Sequence, residues 1–152
     1  MKIMNKQYGH INTLTLITIL IALLGIMSIV FNIKLKNSHK MKWHLLQAQQ
    51  ASMHSLLIAK EMLKNNSLPN NCINISGCPF WSSNHNIRLI NKNGTPNKAW
   101  WHENAYSITG ANANAKFIVI RKQNDLYKII AFAEDLSGSL ATISSGYVLI
   151  EN

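Results

Sequence analysis

Carboxylates are scarce in this chain, with six acidic residues against 15 Lys and Arg. Glu61, Glu103, Asp125, Glu134, Asp135 and Glu151 form no spaced acid–base pair, so each reads as a surface or capping residue. A GxSxG nucleophile elbow is absent, and His102-Glu103 lacks the second histidine of a zinc-protease helix. The seven glycines occur singly, which leaves no phosphate-cradling loop. The sequence therefore predicts no enzyme: no catalytic residue, no cofactor and no metal site.

Cysteine is nearly as rare. Cys72 and Cys78 are the only two, enclosing five residues in NCINISGC ahead of Pro79. No second CxxC exists, and His85 and His102 follow at no regular ligand spacing, which argues against zinc. Two unconnected thiols remain an alternative, but an isolated close pair favours one local disulfide, which persists only in an oxidising compartment. A dense Lys/Arg run is also lacking. The formal net charge of +9 favours anionic surfaces, yet it is spread over short groups: Lys34, Lys36, Lys40 and Lys42, then Arg121 and Lys122. That distribution suits a solvated basic surface beside a membrane better than a dedicated nucleic-acid site.

What the chain does have is one long apolar run. Residues 11–33 read INTLTLITILIALLGIMSIVFNI, 23 residues without a charge and about 34 Å long as a helix, enough to cross a hydrocarbon core. Asn12, Thr13, Thr15 and Thr18 can bond back to the preceding turn and so be tolerated in lipid. A chain of 152 residues could hardly enclose a helix apolar all round. A cleavable signal peptide fits poorly, because Lys34, Leu35 and Lys36 stand where a small-x-small site belongs. Two lysines precede the span and four follow within ten residues, so the positive-inside rule favours neither orientation cleanly and a bare count points against an external C-terminal part; the cysteine pair argues for one outside the cytoplasm.

After residue 33 neither Gly nor Pro occurs until Pro69, and residues 41–64, MKWHLLQAQQASMHSLLIAKEMLK, are strong helix formers. Leu46, Met53, Leu56, Leu57 and Leu63 recur at helical steps, with Leu45 and Ala48 beside them, predicting one apolar stripe that packs on the chain's own sheet. Residues 11–65 would then form a single helix of 55 residues, about 80 Å long. Gly25 and the cluster Asn37, Ser38, His39 are the expected places for bending.

Residues 66–115 are rich in Asn, Ser, Gly and Pro and read mostly as loop. Asn93-Gly94 predicts a tight turn between the run 87–90 and Trp100-Trp101, while Trp81, Trp100, Trp101 and Tyr106 are expected to cover the helix and the cysteine loop. KFIVIR (116–121), LYKIIAFA (126–133) and residues 140–150 predict three strands, with turns at Lys122-Gln123-Asn124-Asp125 and Ser137-Gly138-Ser139. The architecture expected is α+β, a long N-terminal helix packed on a small antiparallel sheet. Its segments are a basic leader (1–9), a transmembrane half (10–33), an amphipathic half (34–66) and a head (67–152).

In that order the features resemble a type IV pilin, and more specifically the PilX-type minor pilins and the related pseudopilins of type II secretion. Lys6-Gln7-Tyr8-Gly9-His10 ahead of the span resembles the leader cut by prepilin peptidase, which implies processing between Gly9 and His10. Commoner pilins begin the mature chain with phenylalanine and carry a glutamate at its fifth residue; His10 and Leu14 hold those places here. Lack of that glutamate is shared with PilX-type proteins and with the pseudopilin at a filament tip. The cysteine loop ahead of tryptophans, then Lys116 to Ile120, Tyr127 to Ala133, Gly138 and a last strand near Tyr147 follow the PilX-type ending.

The resemblance implies a minor pilin in type IV pilus assembly, priming the filament or sitting at its tip, with other minor and major pilins as partners. It implies an inner-membrane protein crossing once, its head periplasmic and open to incorporation in the extracellular pilus. Adhesion to DNA or a cell surface, a secretion pseudopilin, and a single-pass protein that never polymerises are the competing expectations.

Overall fold

The computed structural model describes residues 5–85, 87–108, 114–122 and 125–150, with side chains from Thr13 onward. It separates into two units, Met1–Met41 and Lys42–Asn152. Helix α1 (Asn5–Lys64) runs through the boundary, which lies eight residues beyond the 33/34 division read from hydropathy alone. The helix does not melt at Gly25 or at Asn37-Ser38-His39: helical hydrogen bonding continues past them. One glycine costs only about 1 kcal/mol in a helix, too little to break a run this long.

At its end α1 closes in the manner of a Schellman cap. Asn66 adopts φ 50°, its N–H donates to Leu63 O, and Ser67 N–H donates to Met62 O. Pro69, which cannot continue a helix, stands just beyond.

In the second unit three strands make the expected meander. β3 (Ala115–Arg121) pairs antiparallel with β4 (Leu126–Glu134), and β4 with β5 (Ala141–Leu149) in an unbroken register from Leu126↔Leu149 to Glu134↔Ala141. Asp125 before β4 and Gly138 between β4 and β5 take positive φ, the second a place where glycine is unstrained. The sheet is mixed, a correction to the purely antiparallel expectation. β1 (Phe80–Trp81) lies parallel to β3 along Val119 and Ile120, and β2 (Tyr106–Ser107) lies antiparallel to it along Phe117 and Lys116. Both are two-residue strands, too short for any alternation to announce them.

β3 and β4 are buried on both faces, which explains their nearly continuous apolar sequence. Against one face pack Leu56, Ala59 and Leu63 of α1, over Phe117, Val119, Ile129, Ala131 and Val148. Against the other pack Trp81 and Trp101, over Ile118, Ile120, Ile130 and Phe132. The tryptophans thus cover the sheet face opposite α1, not the helix; only Tyr106 joins the helix side. Alternation decides this: Phe80 and Trp81 are neighbours in a strand and point to opposite faces. Trp100 and Trp101 sit on a further short helix, α2 (Lys98–Asn104), whose N-cap Asn97 accepts from Trp100 N–H. Trp101 stacks on Phe132 at 5.1 Å and Trp81 meets Trp100 edge-on at 5.2 Å. The Asn93-Gly94 turn forms as expected, with Gly94 at φ 81° and Ile90 bridged to Pro96.

The helical stripe needs correction. Leu56 and Leu63 are buried, but Leu46, Met53 and Leu57 are 45%, 53% and 55% exposed. The face that meets the sheet is instead Ala48, Ser52, Ser55, Leu56, Ala59 and Leu63. Small residues dominate it because the helix approaches closely. A Cβ added at Gly146 of β5 would lie 3.1 Å from Leu56 Cδ2, and Ser52 Oγ reaches Ser144 Oγ at 2.7 Å. Large side chains at 48, 52 or 59 would hold the two apart, so the larger leucines flank the contact.

Candidate assembly surfaces

In the first unit every described residue from 13 to 41 is exposed. An 18-residue window of α1 has mean hydropathy 2.8 with none of it buried, so this helix is long and apolar enough to span a membrane. Leu14 is 65% exposed, presenting an alkyl group where the resemblance places a pilin's glutamate. Thr18 Oγ1 donates to Leu14 O at 2.8 Å, the back-bonding that makes a hydroxyl tolerable in lipid. Gly9 and His10 belong to the backbone of α1, but their side chains, and with them the processing site, lie outside the described residues.

Cys72 and Cys78 form a disulfide, as read from their spacing, with Cα atoms 5.8 Å apart. Their loop is fastened at both ends of its path. Asn74, at φ 59°, donates from its N–H to Phe80 O and accepts at Oδ1 from Ser82 N–H. Gly77 N–H donates to Asn104 O, Ser76 Oγ to Glu103 O, and Trp81 Nε1–H to Cys78 O. The hydrogen bonds of the crosslinked loop therefore tie α2 to β1, leaving Ile73 and Ile75 exposed on the loop.

Glu134 and Asp135, expected as surface or capping residues, are buried where β4 ends. Glu134 takes Lys98 Nζ at 3.2 Å and His102 Nε2 at 2.8 Å, both from α2. Burial raises the pKa of the Asp135 carboxyl, but donors from Ser137 Oγ and N–H, Ser139 Oγ and Leu140 N–H outweigh it and hold the carboxyl well below the usual carboxylate range. His44 of α1 brings Nδ1 to 2.7 Å from Asp135 Oδ2 without hydrogen-bond alignment, a charge contact when the imidazole is protonated. One pair of adjacent carboxylates thus fastens α2 on one side and α1 on the other. Their acceptor positions are occupied by structural donors, which suits anchoring better than proton transfer. The local signal for this site was Ser137-x-Ser139 after Asp135, a carboxylate followed by turn hydroxyls. Lys116 is also buried, which pushes its ammonium pKa down, and Nζ donates to Ser107 Oγ.

No group of three or more His, Cys, Asp or Glu side chains suited to a metal ion occurs among the described residues. Fold and surfaces together define a class: an α+β head carrying one disulfide, on a long helix apolar enough to cross a membrane. Comparison with protein-family models, with curated proteins and with solved structures gives no match for this chain.

Proposed function

We propose that the chain is a minor pilin of the PilX type, anchored once in the inner membrane with its disulfide-bonded head in the periplasm, and that it primes a type IV pilus or sits at its tip. The observation that carries the reading is a fully exposed apolar helix that continues without interruption into the helix that packs on the head's sheet. Such a helix can exchange lipid contacts for contacts with neighbouring helices while the head stays folded. Leu14 supports a position at an end of the filament. Where an ordinary subunit offers a carboxylate to its neighbour's N-terminal amine, Leu14 offers none, so this subunit fits an end of the polymer better than its middle.

Prepilin peptidase is the proposed processing enzyme, and major and other minor pilins are the partners. The function needs neither catalysis nor a cofactor. Deleting the gene while leaving partner minor pilins intact is expected to reduce surface piliation and twitching sharply, with restoration by the full chain. Normal piliation in the deletion strain would contradict the priming role.

A DNA- or surface-binding role on the filament is the second reading, favoured by interleaved basic and aromatic groups: Arg121 over the Tyr127 ring at 5.9 Å and Lys128 over Tyr147 at 6.0 Å. Retention of duplex DNA by the detergent-solubilised chain, weakening as salt rises, would support it; no retention at low salt would remove the DNA version. A type II secretion pseudopilin or a non-polymerising single-pass protein would share the head and the span but not the effect on pili.

A further inference from the structure

β5 is the last strand of the sheet order β1-β3-β4-β5, and among the described residues no strand pairs with its outer side. The opposite side of the sheet is different, because β1 and β2 together cover the free edge of β3. The bonds flanking β5 reveal which of its groups are unpaired. Asp135 N–H donates to Leu140 O and Ile150 N–H to Asp125 O, in the same register as the strand pairs. Hydrogen-bonded and non-bonded positions alternate in an antiparallel pair, so the even residues 142 to 148 bond to β4 as Leu140 and Ile150 bond to the residues flanking it. Ala141, Ile143, Ser145, Tyr147 and Leu149 therefore direct N–H and C=O outward.

Natural edges are protected by charges, prolines or bulges. The nine residues ATISSGYVL contain no charge and no proline, and their pairing with β4 has no bulge. A groove of about 590 Å³ follows the first half of this edge. Gln49 and Met53 of α1 form one wall, Ile90 and Pro96 the other, and Ala141–Ser144 the floor. Met53 and Ile90 are each more than half exposed. Leu46 and Leu57 continue the line of Met53 along α1 at steps of seven and four residues. The leucine stripe that does not reach the core thus runs along the flank of α1 that supplies this wall.

Charge selects the occupant. Lys60 Nζ lies 3.4 Å from where a Cβ on Gly146 would stand, on the helix side of β5, and no described group accepts from it or pairs with it. On the other face Lys128 Nζ sits 6.0 Å from the Tyr147 ring. The second half of the edge is bracketed by two ammonium groups. A second copy of this chain fits poorly, because antiparallel β5–β5 pairing centred on Ser145 sets one Lys60 beside the other in molecules of formal charge +9.

We propose that the outer edge of β5 is a strand-addition site for a different protein, taking an extended segment whose apolar half lies between Met53 and Ile90 and whose acidic half lies beside Lys60 and Lys128. Main-chain bonds to the five odd residues supply affinity, and the two halves of the segment set its direction. The inference needs only the folded head and stands apart from the pilus reading.

The test uses the full chain in detergent and two peptides: an acetylated and amidated Thr-Val-Thr-Val-Thr-Glu-Val-Glu, and the same sequence with Lys for Glu. The acidic peptide is expected to bind at least tenfold more tightly than the basic one. Ser145→Pro removes an outward N–H while leaving the β4 ladder intact, and should weaken acidic-peptide binding about tenfold with the thermal midpoint retained. Lys60→Glu, at a position outside the strand, should erase or reverse the preference between peptides whether or not the proline variant folds. Equal binding of the two peptides, binding of neither, or an unchanged preference in Lys60→Glu would overturn the proposal. So would wild-type self-association through this edge in preference to peptide binding.

Discussion

Asp135 is a buried carboxylate held by four donors from the turn that follows β4. Its pKa is depressed in the folded chain, so the stability it contributes is complete above the unfolded value near pH 4 and is lost as pH falls from there toward the native value. Asp135→Asn should destabilise the head by roughly 2 kcal/mol at pH 7, because the Ser137 and Leu140 donors lose a charged acceptor. Thermal melts of both proteins from pH 7 down to pH 2 test this, and the gap between them should narrow below about pH 4. Gly146 is the other residue on which the close packing turns. Gly146→Val would drive methyl groups into Leu56 and Lys60 and should cost about 1–3 kcal/mol in the same assay, with the disulfide still formed.

Among elements, α1 in the second unit separates two kinds of apolar residue. Leu56→Ala should destabilise by about 2–4 kcal/mol, since the side chain is buried in the core, whereas Leu57→Ala and Met53→Ala should each stay within about 0.5 kcal/mol. Urea unfolding of the three variants distinguishes the observed face from the leucine stripe. Hydropathy could not make that distinction. Leucines at steps of three, four and seven look alike whether they enter a core or flank it, and the true contact is marked by Ala48, Ser52, Ser55 and Ala59, whose value lies in being small. The three long strands were legible to within a residue at every end, because β-branched runs between turn residues admit little else. β1 and β2 were not, since pairing with β3 creates them. The disulfide was legible from spacing, while the Glu134 and Asp135 anchor was hidden because its partners come from residues 44, 98 and 102, far away in sequence.

At the scale of the whole molecule, the proposed function depends on which side of a membrane the head would occupy. The charge bias of the sequence does not decide it cleanly, with two lysines before the apolar run and four just after it, and the Cys72–Cys78 crosslink is the physical reporter. Disulfides persist outside the cytoplasm and are rare within it. The most direct measurement is thiol labelling of Cys72 and Cys78 in intact cells with an outer membrane made permeable and an inner membrane left whole. The account predicts no modification by an impermeant maleimide until an impermeant reductant is added, and modification of the partly exposed Cys72 afterwards, with Cys78 following only once the head is unfolded. Free thiols that react only after the inner membrane is dissolved would place the head in the cytosol and contradict it.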